Sequence, residues 1–201
     1  MVDLKEILDV AKIHPKRAIS AYVYGSRIYG TSTDESDWDI SLIAKNSVES
    51  IEIKSDKYNI HIYTLDRWVK DLEWHNPKCL ECHLAPENAI LLEEHRHKLI
   101  LELPKLRHSI SHTSSSSWVK ARKKIESGEY KTGIKSLFHS IRIPMFGSQI
   151  AKNRRIDDFS CANKLWKDLC SKEWDWESLD KEYHQMRNNV MSNFRNLAQK
   201  L

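Results

Sequence analysis

The run Tyr22–Ile43, YVYGSRIYGTSTDESDWDISLI, decides how the rest of the chain is read. An apolar segment ends in Gly25-Ser26, a loop rich in Ser, Thr and Asp follows, and a second apolar segment opens with Asp37-Trp38-Asp39. Alternate side chains of a strand share a face, so Asp37, Asp39 and Ser41 point one way and Trp38, Ile40 and Leu42 the other. One face is then core and the other presents two carboxylates. Such neighbouring acids repel each other unless a cation sits between them, and hard oxygen ligands suit Mg²⁺ or Mn²⁺. The Gly25-Ser26 turn lets backbone N–H groups approach an anion, and the serine adds a hydroxyl. A metal on one side and a phosphate cradle on the other describe a nucleoside triphosphate site. The plain alternative is a β-hairpin with an acidic outer face.

Gly-Ser, ten residues, then Asp-x-Asp resembles the signature of the polymerase-beta-like nucleotidyltransferases. The fuller string GSRIYGTSTDESDWD is similar to one branch of them, the RNA-ligase-associated polymerases. The resemblance implies transfer of a nucleoside monophosphate from an NTP to a hydroxyl, with release of pyrophosphate. It implies that Asp37 and Asp39 hold the metal and are catalytic, and that Gly25 and Ser26 hold phosphates, with Arg27 placed to join them or to pair with a neighbouring acid. The branch usually carries a third carboxylate on a neighbouring strand, in a run that here reads Asn59-Ile60-His61-Ile62-Tyr63. Asn59 therefore stands where an acid is expected. An amide cannot take a proton as a general base, whereas His61, two residues on along the same face, has the pKa for that work. A solvated strand histidine is the other reading of His61.

Composition sets the wider frame. The chain has 201 residues and a formal net charge of +4, a balance typical of one globular domain or two small ones. No apolar run reaches membrane-spanning length and the N-terminus lacks a secretory pattern, so a cytoplasmic protein without a membrane partner is expected. Four cysteines are too few for a disulfide framework and read as reduced thiols.

Residues 3–13 set Leu4, Ile7, Leu8 and Ala11 on one helical stripe, and Ala18–Tyr24 reads as the first central strand. Residues 51–63 read as two strands joined at Ser55-Asp56-Lys57, followed by a helix over 65–72 and another capped by Asn76 with Pro77 in its first turn. The run Asn76-Pro77-Lys78-Cys79-Leu80-Glu81 is similar to an Asn-Pro-x-x-Leu-Glu stretch of the same branch, which would put Glu81 near the site. Cys79, Cys82, His75 and His83 offer zinc chemistry, but a helical Cys-x-x-Cys without a second ligand pair at finger spacing argues against it. His95 and His97 have a spacing that can bind metal on a strand. Residues 89–92 fit a last strand.

A boundary is expected at 104–117, where HSISHTSSSS follows a proline. Beyond it the chain turns helical, with ten basic residues between Trp118 and Arg155 against two acids. Such a cluster suits a phosphate backbone, with Trp118 and Tyr130 as stacking platforms if exposed. Lys135, His139 and Arg142 match a Lys-x-x-x-His-x-x-Arg helix of the branch and share a helical face, where they would hold the triphosphate or the acceptor. Pro144 predicts a kink or an early helix end. A last helix from about Ser178 carries Leu179, Tyr183, Met186, Val190, Phe194 and Leu197 as its core stripe.

The expectation is thus an α/β (α+β) protein: a small mixed-sheet nucleotidyltransferase core over 1–108 and a basic helical domain over 109–201. Its substrates would be an NTP and an RNA 3′ end, tRNA among the candidates. The rivals are modification of a protein side chain or a small molecule, and a non-catalytic NTP- or RNA-binding module that lost turnover with the third carboxylate.

Overall fold

The computed structural model describes residues 2–45, 51–94 and 96–199. They form two compact units, divided in sequence between Ile100 and Leu101. The first is a five-stranded mixed sheet. Its strands are β1 (Ala18–Tyr24), β2 (Trp38–Ala44), β3 (Ile51–Lys54), β4 (Tyr58–Thr64) and β5 (Ile90–Glu93), in the order β3-β4-β2-β1-β5. β2 and β4 run parallel, and the other neighbours are antiparallel.

Strand alternation sorts the sheet into two faces. Ala21 and Val23 of β1, Ile40 and Leu42 of β2, and Ile60 and Ile62 of β4 form a buried layer with Ile7, Leu8 and Ala11 of α1 (Leu4–Ala11). Each such side chain contributes roughly 1.5–3 kcal/mol by leaving water. Asp3 caps α1 by accepting from the Lys5 N–H at 3.0 Å. On the other face lie α3 (Leu65–Glu73) and α4 (Pro77–His83), each with the cap its sequence announces, Thr64 for α3 and Asn76 for α4. Trp68 of α3 stacks on Tyr22 at 5.7 Å and meets Tyr63 edge-on at 5.3 Å, and the Cys82 thiol donates to Ser41 Oγ at 3.5 Å. Tyr22 and Ser41 are thereby sealed, while Tyr24, Asp39 and Asn59, one row along, are only partly buried. That register puts the acids where the helical cover ends.

The second unit is built from α5 (Leu103–Glu126), α6 (Tyr130–Asn153), α7 (Asn163–Leu169) and α8 (Trp176–Leu197). Two expectations are corrected here. The serine-rich stretch 104–117, read as a boundary, lies inside α5, with Leu106, Ile110 and Ser114 buried along one side. Pro144 does not end α6, which runs on to Asn153. Proline has no N–H for the carbonyl four residues back, and that carbonyl, on Ser140, accepts instead from Ser114 Oγ of α5 at 2.6 Å in a fully buried bond. The serine and the proline explain each other. Gly147 keeps α6 close to α8, since a β-carbon there would lie 2.8 Å from the Phe194 ring.

The α8 stripe is partly as expected. Leu179, Tyr183 and Phe194 are buried, but Met186 is 46% exposed and Met191 takes a core place. In the turn between them Arg187 faces inward, its guanidinium 5.2 Å from the Trp118 ring centre and its Nη2 donating to Ser115. Among the described residues no helix is long and apolar enough to cross a membrane.

Candidate functional site

The site grows from one cross-strand row. Tyr24 of β1 pairs with Asp39 of β2, which pairs with Asn59 of β4, which pairs with Lys54 of β3. Asn59 donates from Nδ2 to Asp39 Oδ1 at 3.0 Å. The other oxygen of Asp39 faces Gly25, where a β-carbon would stand 3.0 Å from the carboxylate carbon and closer still to Oδ2. Gly25 has φ +80°, a conformation open to glycine and costly to other residues. Residue 25 must therefore be glycine on two counts, the turn and the carboxylate it admits. Asp37 lies one residue ahead of β2 and is exposed.

Gly25 also opens α2 (Ser26–Tyr29), which Gly30 closes in the left-handed conformation. Two contacts fix this short turn. The Tyr29 hydroxyl donates to Glu81 of α4, both side chains being buried. Arg27 lies 4.3 Å over the Trp38 ring and donates to the carbonyls of Ser36 and Asp37. Arg27, expected at a phosphate, is here the clamp of the loop that delivers Asp37. Glu81 supports the Gly-Ser turn from beneath.

Asn59 and His61 fall on the expected face, with His61 opposite Ser41 and Glu52. Burial, and then the charge of Lys78, hold the His61 pKa below its ordinary value, so its imidazole is neutral near pH 7. Asn59 Oδ1 is buried and accepts no hydrogen bond. It is an oxygen donor left over in the same cross-strand row as the Asp39 carboxylate, and oxygen donors of this kind fit Mg²⁺ better than a softer ion. No group of three or more His, Cys, Asp or Glu side chains is arranged for a metal among the described residues.

Sequence reasoning passed over Lys78 and Tyr24. Lys78, in the first turn of α4, holds its ammonium 4.4 Å from the Tyr24 ring centre and 5.5 Å from that of Tyr63, above the same sheet face. A signal for it existed. A cation in the first turn of a helix opposes the helix dipole, so a lysine directly after Asn76-Pro77 has a reason outside the helix. Burial and the nearby Asp39 carboxylate push the Tyr24 phenol pKa up, which keeps that ring a neutral partner.

The zinc reading of α4 finds no support. Cys79 and Cys82 are fully buried, and burial raises both thiol pKa values, Cys82 to about 12, so they remain protonated. His95 lies outside the described residues, and His97 sits 3.9 Å from Glu73.

In the helical unit the structure brings His139 and Arg142 together and leaves Lys135 exposed on the same helix. Arg142 is 3% exposed, donates from Nε to His139 Nδ1 at 3.3 Å and lies 4.6 Å over the Phe146 ring. Burial, and next Arg142 itself, push the His139 pKa down to about 3, as an accepting Nδ1 requires. The rings expected to stack on bases are used within the unit. Trp118 meets Trp176 edge-on at 5.3 Å, and the Tyr130 hydroxyl donates to the Lys172 carbonyl and accepts from the Trp174 N–H. The basic character does find a surface, a groove of about 440 Å³ lined by Ser115, Ser116, Val119, Lys120, Lys123 and Lys124 of α5. Lys124 is paired with Glu129.

No family model matches the chain, and no curated protein matches it. Several solved structures resemble it. One is a nucleotidyltransferase-like protein from Exiguobacterium sibiricum 255-15, at 15% identity and TM-score 0.35, covering 97% of this chain and 73% of that one. Another is spectinomycin adenyltransferase AAD(9) from Enterococcus faecialis, solved with ATP and spectinomycin, at 11% identity and TM-score 0.46, covering 96% of this chain and 99% of that one. Both likenesses are loose.

Proposed function

We propose that this protein is a metal-dependent nucleotidyltransferase that moves a nucleoside monophosphate from an NTP to a hydroxyl, with an RNA 3′ end as the acceptor. The observation that carries the reading is the seating of Asp39, one oxygen held by the Asn59 amide and the other against a glycine that opens the Gly25-Ser26 turn. A carboxylate fixed beside a Gly-Ser turn is the juxtaposition a metal-bound triphosphate needs.

Asp37 and Asp39, with the spare oxygen of Asn59, would hold Mg²⁺ or Mn²⁺. When bound, the ion neutralises phosphate charge and makes the acceptor hydroxyl more acidic. Gly25 and Ser26 bind the outer phosphates, and Arg27 and Glu81 hold the turn and the acidic loop in place. The acceptor oxygen attacks the α-phosphorus, the bond to the β-phosphate oxygen breaks, and pyrophosphate leaves. His61, neutral at working pH and on the face of Asn59, takes the hydroxyl proton that a third carboxylate would otherwise accept. The basic groove on α5 tracks the RNA backbone, so binding should weaken steeply with salt.

Incubation of the protein with each labelled NTP, Mg²⁺ or Mn²⁺ and total RNA, beside an Asp37→Ala/Asp39→Ala variant, tests this. Label on RNA that requires the acidic pair is the expected result. Label on protein or on a small molecule replaces the acceptor. Asn59 favours one further reading, a module that binds NTP and RNA without turnover. NTP binding with no label transferred anywhere would select it.

A further inference from the structure

Lys78 stands above the acid face and takes no part in seating the acids or the Gly-Ser turn. Its side chain is half-buried, and its ammonium lies over the rings of Tyr24 and Tyr63. Among the described residues it forms no ion pair, and its ammonium donates no hydrogen bond, although Asp39 and Glu52 both attract it. Taking a cation out of water costs several kcal/mol, and ring faces return only about 0.5–2 kcal/mol of that. Its position in the first turn of α4 adds a further unfavourable term from the helix dipole. A charge kept at such cost without a protein anion is matched to an anion that arrives.

The site limits what that anion is. Asp39 already receives Asn59 on one oxygen and abuts Gly25 with the other, so Lys78 is not needed to satisfy it. The two aromatic rings meet the ammonium with their faces and leave it without an oxygen acceptor among the described residues. A lysine presented in this way is a point-charge donor to a phosphate oxygen, as distinct from the bidentate fork of an arginine.

We infer that Lys78 is a phosphate-binding residue of this site, held between Tyr24 and Tyr63 so that its ammonium donates to the triphosphate of the incoming nucleotide. The inference rests on the nucleotidyltransferase reading and extends it to a residue outside the Gly-Ser turn. Lys78 binds and orients, so its loss should raise KM for the NTP more than it lowers the rate at saturation.

The test is calorimetric titration of the full chain with inorganic tripolyphosphate in the presence of Mg²⁺, using wild type, Lys78→Met and Lys78→Arg. Methionine keeps the stem between the tyrosines and removes the charge. Lys78→Met should lose roughly tenfold or more in affinity, the range of one charged hydrogen bond, while Lys78→Arg recovers most of it and neither lowers the melting temperature. Tripolyphosphate affinity unchanged in Lys78→Met overturns the inference. So does a selective loss of affinity for a 5′-hydroxyl RNA oligonucleotide, which would make Lys78 a contact to the acceptor strand. Failure of the wild type itself to bind tripolyphosphate or any NTP overturns the functional reading and this inference together, an outcome distinct from the other two.

Discussion

The two units place their polar groups by different rules. In the sheet unit, register does the sorting: Tyr24, Asp39 and Asn59 share a row because β1, β2 and β4 pair residue for residue, and strand alternation sends the neighbouring Val23, Ile40 and Ile60 to the opposite face. In the helical unit, buried polar groups find partners on other helices, the Ser140 carbonyl of α6 in Ser114 of α5 and the Tyr183 hydroxyl of α8 in Asp168 of α7. The first rule is local and repeats every two residues. The second depends on which helix lies alongside. Changes in the sheet row should therefore act on chemistry with little effect on folding, and changes in the helical pairs should do the reverse.

Gly25→Ala tests the first half of that contrast most severely. The new β-carbon would meet the Asp39 carboxylate in a backbone conformation that alanine tolerates poorly. Nucleotidyl transfer should fall about a thousandfold, near 4 kcal/mol of transition-state stabilisation, while strain costs the fold only about 1–2 kcal/mol. Parallel measurement of kcat/KM and of urea unfolding separates the two. A fully folded variant with wild-type activity would show that Asp39 is not poised against this turn.

Acid should find the helical unit through His139. Its folded pKa is pushed down to about 3, so between there and the unfolded value near 6.5 only the unfolded chain binds the proton. Stability from this group is complete above about pH 6.5 and falls by up to about 1.4 kcal/mol per pH unit as acid is added, a cumulative loss of roughly 3 kcal/mol by pH 4. His139→Gln should flatten that slope in acid unfolding followed by tryptophan fluorescence. His83, held to about 4 by burial and by Arg96, gives the sheet unit a similar but shorter window.

What the sequence disclosed follows the same division. The strands, the Asn76 cap and the acid face were legible because each is written within a few adjacent residues. The contacts of Arg27 were not legible, because the Trp38 ring and the two carbonyls that its guanidinium meets are brought near only by the folded loop. The stretch 104–117 read as a boundary because serine favours turns, and Pro144 read as a kink or an early helix end because it lacks a donor. Both helices continue through these positions, the serine of one supplying the donor that the proline of the other lacks. Trp118 and Tyr130 read as base platforms on condition of exposure, and both are partly buried against partners more than forty residues away in the chain.

Ser114→Ala measures that rescue. Removing the hydroxyl leaves the Ser140 carbonyl buried without a donor, a loss of about 2 kcal/mol. In a Pro144→Ala background the helix can supply its own N–H, so the cost of Ser114→Ala should shrink to about 0.5 kcal/mol or less. Equal costs in both backgrounds, read from denaturant midpoints at constant m, would separate the serine from the proline.

The smallest effect on folding, and the most informative about the row, is expected from Asn59→Asp. It replaces an amide donor 3.0 Å from Asp39 Oδ1 with a second acceptor carrying charge. Without divalent ions the two carboxylates repel, and the variant should lose about 1 kcal/mol against wild type. Millimolar Mg²⁺ should restore it, because the exchange that removes a hydrogen bond completes a three-carboxylate site for a hard cation. Transfer activity then distinguishes two histories of the site. A rise above wild type means that Asn59 has weakened a working enzyme, and no activity in either form means that the row serves binding alone. A substantial wild-type rate left unchanged by the substitution would move the proton-accepting role wholly to His61, the neighbouring group on that face already held neutral.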